Sequence, residues 1–180
     1  AHHIARAAPT CKVVSVAARN AFTVRPFSGE VVTLAGHKEQ VDCVAAAPDG
    51  RVITGSSDTT IKVWHDGACE CTIQASQAHT QTVNAVLPGG ARFASVSYFR
   101  TQLWTLDGTL ERTFDVGSRV AALPGGVHFV VGLGNGDVRL YHVDGTLVHT
   151  FKGHTAASTS LKAVAVTLDG KHVISGSDDN

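Results

Sequence analysis

Apolar and polar residues alternate in short runs along most of this chain, and turn-forming residues interrupt the runs about every ten positions. One stretch shows the pattern in full. VDCVAAA (41–47) is apolar and rich in small residues, PDG (48–50) is a turn, and RVITGS (51–56) is a second apolar run. SDTT (57–60) is a polar turn, TIKVW (60–64) alternates, DGA (66–68) is a tight turn and CECTIQ (69–74) alternates again. A period of two puts successive side chains on opposite faces of an extended backbone, so each run is predicted to be a strand. No stretch carries a capped apolar period of 3.6, so no helix is expected. The fold class is all-β.

The pattern repeats. VITGSSDT (52–59) aligns with VISGSDDN (173–180), APDGRVI (47–53) with LDGKHVI (168–174), LPGGARF (87–93) with LPGGVHF (123–129), and LDGTLERTF (106–114) with VDGTLVHTF (143–151). LAGH (34–37), QAH (77–79) and KGH (152–154) each close a strand-like segment. Trp64, Trp104 and Tyr141 recur at a spacing of roughly 40 residues. Four short antiparallel strands per unit at that spacing describe one propeller blade.

The set GH, PDG, TGSSD and IKVW at this period resembles the WD-repeat family, over roughly residues 11–180. His65 follows the tryptophan where the family's name-giving Asp stands. The resemblance implies a partial blade at 11–34, full blades at about 38–74, 80–114 and 116–151, and a partial blade at 155–180, after a lead at 1–10 that is disordered or arbitrary. Such a count leads us to expect an arc of a larger propeller; a closed four-bladed ring would have a strand in surplus. The chain contains no Met and stops where a third strand should begin, which also suggests a fragment.

His37, Ser56 and Asp58 are the ingredients of a nucleophilic triad, and equally of a structural hydrogen-bond chain. The family resemblance implies the second. There the GH histidine, the turn Asp, a second-strand hydroxyl and the third-strand Trp are linked. Carried onto this sequence these are His37, Asp58, Trp64 and either Thr54 or Ser56. Trp only donates, carboxylate only accepts, and the hydroxyl and imidazole do both, so such a chain is chemically complete. GSSDTT is not the G-x-S-x-G elbow and no helix follows it, which argues against a hydrolase. The second repeat keeps His79 and Trp104 but has Tyr98 at the Asp position. The third has Gly117-Ser118, Asn135 and Tyr141. The fourth has His154, Asp179 and Ser175 or Ser177. The first repeat is therefore expected to be the best tied.

Charge narrows the function. Lys+Arg and Asp+Glu both number 15, so no basic field is available for nucleic acid. No apolar run reaches the length of a membrane span, and AHHIARAAPT lacks the apolar segment of a secretory signal. Cys11, Cys43, Cys69 and Cys71 have neither disulfide-framework nor zinc spacing. Cys69 and Cys71 are expected on one face of a strand as reduced thiols of an intracellular protein, cytoplasmic or nuclear. His65, His128, His142, His149 and His172 have no metal spacing, and GLGNGD (132–137) reads as a turn rather than a dinucleotide site. No cofactor, metal, catalytic residue or small-molecule substrate is expected.

SYFR (97–100) occupies the turn where repeat one has its Asp. Its aromatic and Arg side chains are of the type that anchors interfaces; alternatively Tyr98 or Phe99 folds inward to fill the missing Asp's space. With Lys38, Glu39, Gln40, Ser57, Gln81 and Arg119, residues Tyr98, Phe99 and Arg100 make up a candidate partner-binding top face. The resemblance implies a non-catalytic scaffold for a protein or peptide. TGSSDTTIKVWHDGACECTI (54–73) also resembles repeats of phospholipase A2-activating-type WD proteins, which implies a ubiquitin- or degradation-linked adaptor as an alternative. A propeller-fold hydrolase is the third reading.

Overall fold

The period-two segments form strands in five antiparallel sheets, and the computed structural model describes residues 12–18, 20–26, 32–75, 82–97, 100–114, 117–154 and 161–179. The first sheet is β1 (Lys12–Ala18), β2 (Ala21–Pro26) and β3 (Val32–Ala35). The second is β4 (Val41–Ala46), β5 (Val52–Ser56), β6 (Thr60–His65) and β7 (Ala68–Gln74). The third is β8 (Thr82–Val86), β9 (Arg92–Ser97), β10 (Arg100–Thr105) and β11 (Leu110–Phe114). The fourth is β12 (Arg119–Ala122), β13 (His128–Gly132), β14 (Val138–His142) and β15 (Leu147–Phe151). The fifth is the pair β16 (Leu161–Val166) and β17 (Val173–Ser177). Every strand pairs with its sequence neighbour, and no helix occurs among the described residues. The sheets are stacked through their first strands, with β4 beside β8, β8 beside β12 and β12 beside β16.

Each hydrophobic cluster lies between two sheets. Leu34, Val52 and Trp64 join the first sheet to the second. Ile53, Ile61, Val63 and Ile73 meet Phe93 and Trp104 of the third. Val96, Leu103 and Phe114 meet Val120, Phe129, Val131 and Tyr141 of the fourth. Val130 and Val138 meet Leu161 of the fifth. The middle strands are covered on both faces, which explains why VITGS and HFVVG are buried almost throughout. The outermost strands β7, β11 and β15 keep polar or half-exposed faces.

Glycine turns set the sheet spacing. Gly126 has a φ of +73°, and a Cβ there would lie 2.1 Å from the carbonyl oxygen of Pro88 in the preceding sheet. The second glycine of LPGG is thus a point of backbone contact between sheets as well as a turn residue.

The expected common face for Cys69 and Cys71 is corrected. A register shift in β7 sets Cys69 opposite Trp64 and Cys71 opposite Val63, so Glu70 is the extra residue. Cys69 Sγ lies beside Thr72 Oγ1, whereas Cys71 Sγ donates to the carbonyl of Asp107 in the next sheet. Both remain free thiols.

Candidate functional site: a buried tie and the face above it

The loop after β3 carries His37 over the second sheet, and the β5–β6 turn carries Asp58 to meet it. Trp64 Nε1–H donates to Thr54 Oγ1 at 2.8 Å, and Thr54 Oγ1 lies 2.7 Å from His37 Nε2. His37 Nδ1 lies 2.9 Å from Asp58 Oδ2. Asp58 also accepts from the Lys38 amide, the Thr60 amide and the Thr60 hydroxyl. Of the two candidate hydroxyls, Thr54 is the link. Ser56 shares its strand face but sits one pleat nearer the turn, where it donates to the Glu39 carbonyl and accepts from the Asp58 amide.

The electrostatics fix the direction of the chain. Burial pushes the His37 pKa below its ordinary value against the pull of Asp58, so the ring is neutral. Burial pushes Asp58 the other way, but the Thr60 hydroxyl, the Lys38 amide and His37 outweigh it and hold the carboxyl well below the usual range. A neutral ring beside a carboxylate keeps its proton on Nδ1, so Thr54 O–H must donate to Nε2. Every member is then satisfied, and Thr54 and Ser56 are fully buried. The arrangement holds a turn. It has no accessible hydroxyl beside a free imidazole nitrogen.

The other sheets carry versions of this tie. Trp104 opposes Phe93 as Trp64 opposes Val52, and two residues further on Ser95 accepts from Trp104 Nε1–H at 2.9 Å. Ser95 is not among the residues that the motif implies, although counting two places beyond the Trp partner finds it. In the fourth sheet the same count gives Val131, and Tyr141 packs among Phe114 and Phe129. A Cβ on Gly117 would lie 2.3 Å from Val131 Cγ1, so this blade is filled by apolar contact where the second is tied by hydrogen bonds. In the fifth sheet His154 Nδ1 lies 2.9 Å from Asp179 Oδ1 and Nε2 lies 3.0 Å from Ser175 Oγ. Ser175, rather than Ser177, is the hydroxyl there.

The family model described as "WD domain, G-beta repeat" matches residues 28–65 and 145–180, the two stretches that carry a complete His–Asp pair. The chain carries WD repeats. Its sheets are blades of a WD40 β-propeller segment. The WD40 beta propeller domain of Doa1 superposes with a TM-score of 0.68 at 25% identity, over 87% of this chain and 54% of that one. Angio-associated migratory cell protein of Homo sapiens is 26% identical over 166 residues, 88% of this chain. The Notchless protein homolog of Arabidopsis thaliana is 46% identical over 44 residues, 24% of this chain and 9% of that protein. This WD-repeat chain spans 38% of the length of its angio-associated relative.

Of the remaining predicted residues, the described ones stand at strand ends and turns on the side of the blades where the tie sits. Lys38, Glu39 and Gln40 are exposed and Ser57 is half-buried, its hydroxyl donating to Asp42 Oδ2 at 2.8 Å. Arg100 is exposed at the start of β10. Arg119 is exposed too, but its Nε donates to the Lys162 carbonyl at 2.9 Å and its Nη1 to the Ser118 carbonyl at 2.6 Å, bridging two blades. His79, Gln81, Tyr98, Phe99 and Cys11 lie outside the described residues. No group of three or more His, Cys, Asp or Glu is placed to hold a metal among the described residues, and no helix there is long and apolar enough to cross a membrane.

Proposed function

We propose that this WD-repeat chain is a non-catalytic interaction scaffold that binds a protein or peptide partner on the edge bearing Lys38, Glu39, Gln40, Ser57 and Arg100. The supporting observation is that Lys38, Glu39, Gln40 and Ser57 sit directly on tied backbone, with Arg100 exposed at the start of β10. Lys38 N donates to Asp58, Ser57 N donates to the Gln40 carbonyl, and Asp58 is locked to His37. Side chains on a loop already ordered bind with a smaller entropic loss than those on a mobile one. The non-catalytic part of the reading rests on the Ser/His/Asp set being spent on structure; a fluorophosphonate probe should label no serine.

The test is capture of partners from extract by the wild-type chain and by Lys38→Glu/Arg100→Glu. The double variant should keep its melting temperature and lose its partner. Unchanged recovery would remove this edge as the binding surface. The second reading, a ubiquitin-linked adaptor in an intracellular setting, rests on the resemblance carried by residues 54–73. Retention on ubiquitin resin decides it.

A further inference from the structure

His128 and His142 are 14 positions apart in the chain, but the β13–β14 register sets them directly opposite each other. Val143 N donates to Val127 O at 3.0 Å, which makes theirs a non-hydrogen-bonded pair, the kind whose side chains stand closest. Their ring centroids are 5.0 Å apart with the planes at 70°. Both rings are half-exposed. With Zn–N bonds of about 2.05 Å and a ring radius near 1.1 Å, two imidazoles on one tetrahedral ion have centroids roughly 5 Å apart.

A second observation concerns the tautomer. His142 Nδ1 lies 3.0 Å from Asp144 Oδ1. The Asp144 amide also approaches Nδ1, at 3.2 Å, but the anionic oxygen is the stronger partner. A histidine whose Nδ1–H is taken by a carboxylate presents the Nε2 lone pair outward, which is how metal-ligating histidines are oriented.

We propose that His128 and His142 form a two-imidazole zinc site, with Asp144 as the positioning residue and water in the remaining positions. The site spans the hairpin at the edge of the blade opposite the partner-binding edge. Bound zinc would staple β13 to β14 without touching Lys38 or Arg100.

The experiment is calorimetric and thermal titration of the 180-residue chain with Zn²⁺ near pH 7.5. His2→Asn, His3→Asn, Cys69→Ser and Cys71→Ser are introduced first, because imidazole and thiol side chains are general zinc ligands and would add background binding. One equivalent should bind, and saturating zinc should raise the melting temperature by roughly 2–4 °C. His128→Gln or His142→Gln, with folding checked by circular dichroism, should weaken binding at least tenfold and abolish the thermal shift. Asp144→Asn should weaken it about tenfold. Absence of saturable binding up to 1 mM, or binding unaffected by either histidine substitution, overturns the site. Binding that needs both histidines but ignores Asp144→Asn overturns the positioning role alone.

Discussion

Thr54 holds more of the first full blade together than its size suggests. It accepts from Trp64 and donates to His37, so its removal strands a donor and an acceptor at once. Thr54→Val keeps the shape and removes this hydrogen-bond partner from two buried groups at once. At about 1–3 kcal/mol for each stranded group, the loss should be roughly 2–4 kcal/mol, or a melting temperature lower by roughly 5–12 °C. Ser56→Ala frees the half-buried Asp58 amide and the carbonyl of exposed Glu39, and should cost about 1 kcal/mol. Thermal denaturation followed by circular dichroism ranks the two, and equal losses would remove Thr54 from its central place. The same tie gives an acid response. Folding lowers the His37 pKa, so the unfolded chain takes up that proton first. The His37 contribution is complete above the ordinary histidine pKa and is lost as pH falls through it. The depressed Asp58 carboxyl acts lower, its contribution being lost as pH falls below 3.8. Melting temperature should therefore drop between about pH 7.5 and pH 5.5 in the wild-type chain. His37→Gln should start lower and drop less; parallel curves would assign the effect to other histidines.

At the scale of the element, the repeated turns carry the contacts between blades. In LPGG (123–126) the two glycines differ: both have positive φ, but a Cβ on Gly125 meets nothing within 4 Å, whereas one on Gly126 meets the Pro88 backbone. Gly125→Ala should cost only the left-handed strain of about 1–2 kcal/mol. Gly126→Ala should cost about 2 kcal/mol more, because a backbone carbonyl must move. Denaturant midpoints of the two variants separate these terms, and identical midpoints would mean the blades do not register through this turn. Strand existence was legible in the sequence because period two and the turn residues agree throughout. Pairing register was less so. Thr54 and Ser56 share a face, and only the height of His37 above the strand chooses between them. The bulge at Glu70 reversed the expectation for Cys69 and Cys71, since one extra residue flips a side chain to the other face. The His128–His142 pair was invisible in spacing and became apparent only as register.

At the scale of the whole molecule, surface residues divide by whether their polar groups are already engaged. Lys38 and Arg100 are exposed and belong to the proposed binding edge. Arg119 belongs to the same candidate group by sequence, yet its guanidinium reaches from Ser118 to Lys162 and so ties two blades whose innermost strands pack together. Its substitution should therefore act twice. Arg119→Ala removes a charge-assisted bond between blades, about 1 kcal/mol at an exposed position, and should lower the melting temperature by roughly 2–4 °C. Any partner contact made by its free Nη2 is lost as well. Lys38→Glu/Arg100→Glu should leave the melting temperature within about 1 °C and reduce partner recovery alone. Measuring melting temperature and pull-down yield on both variants distinguishes a binding edge built from free side chains from one that depends on blade alignment. If Arg119→Ala melts like wild type, the bridge to Lys162 contributes nothing to blade docking, and Arg119 joins Lys38 and Arg100 as a binding residue only.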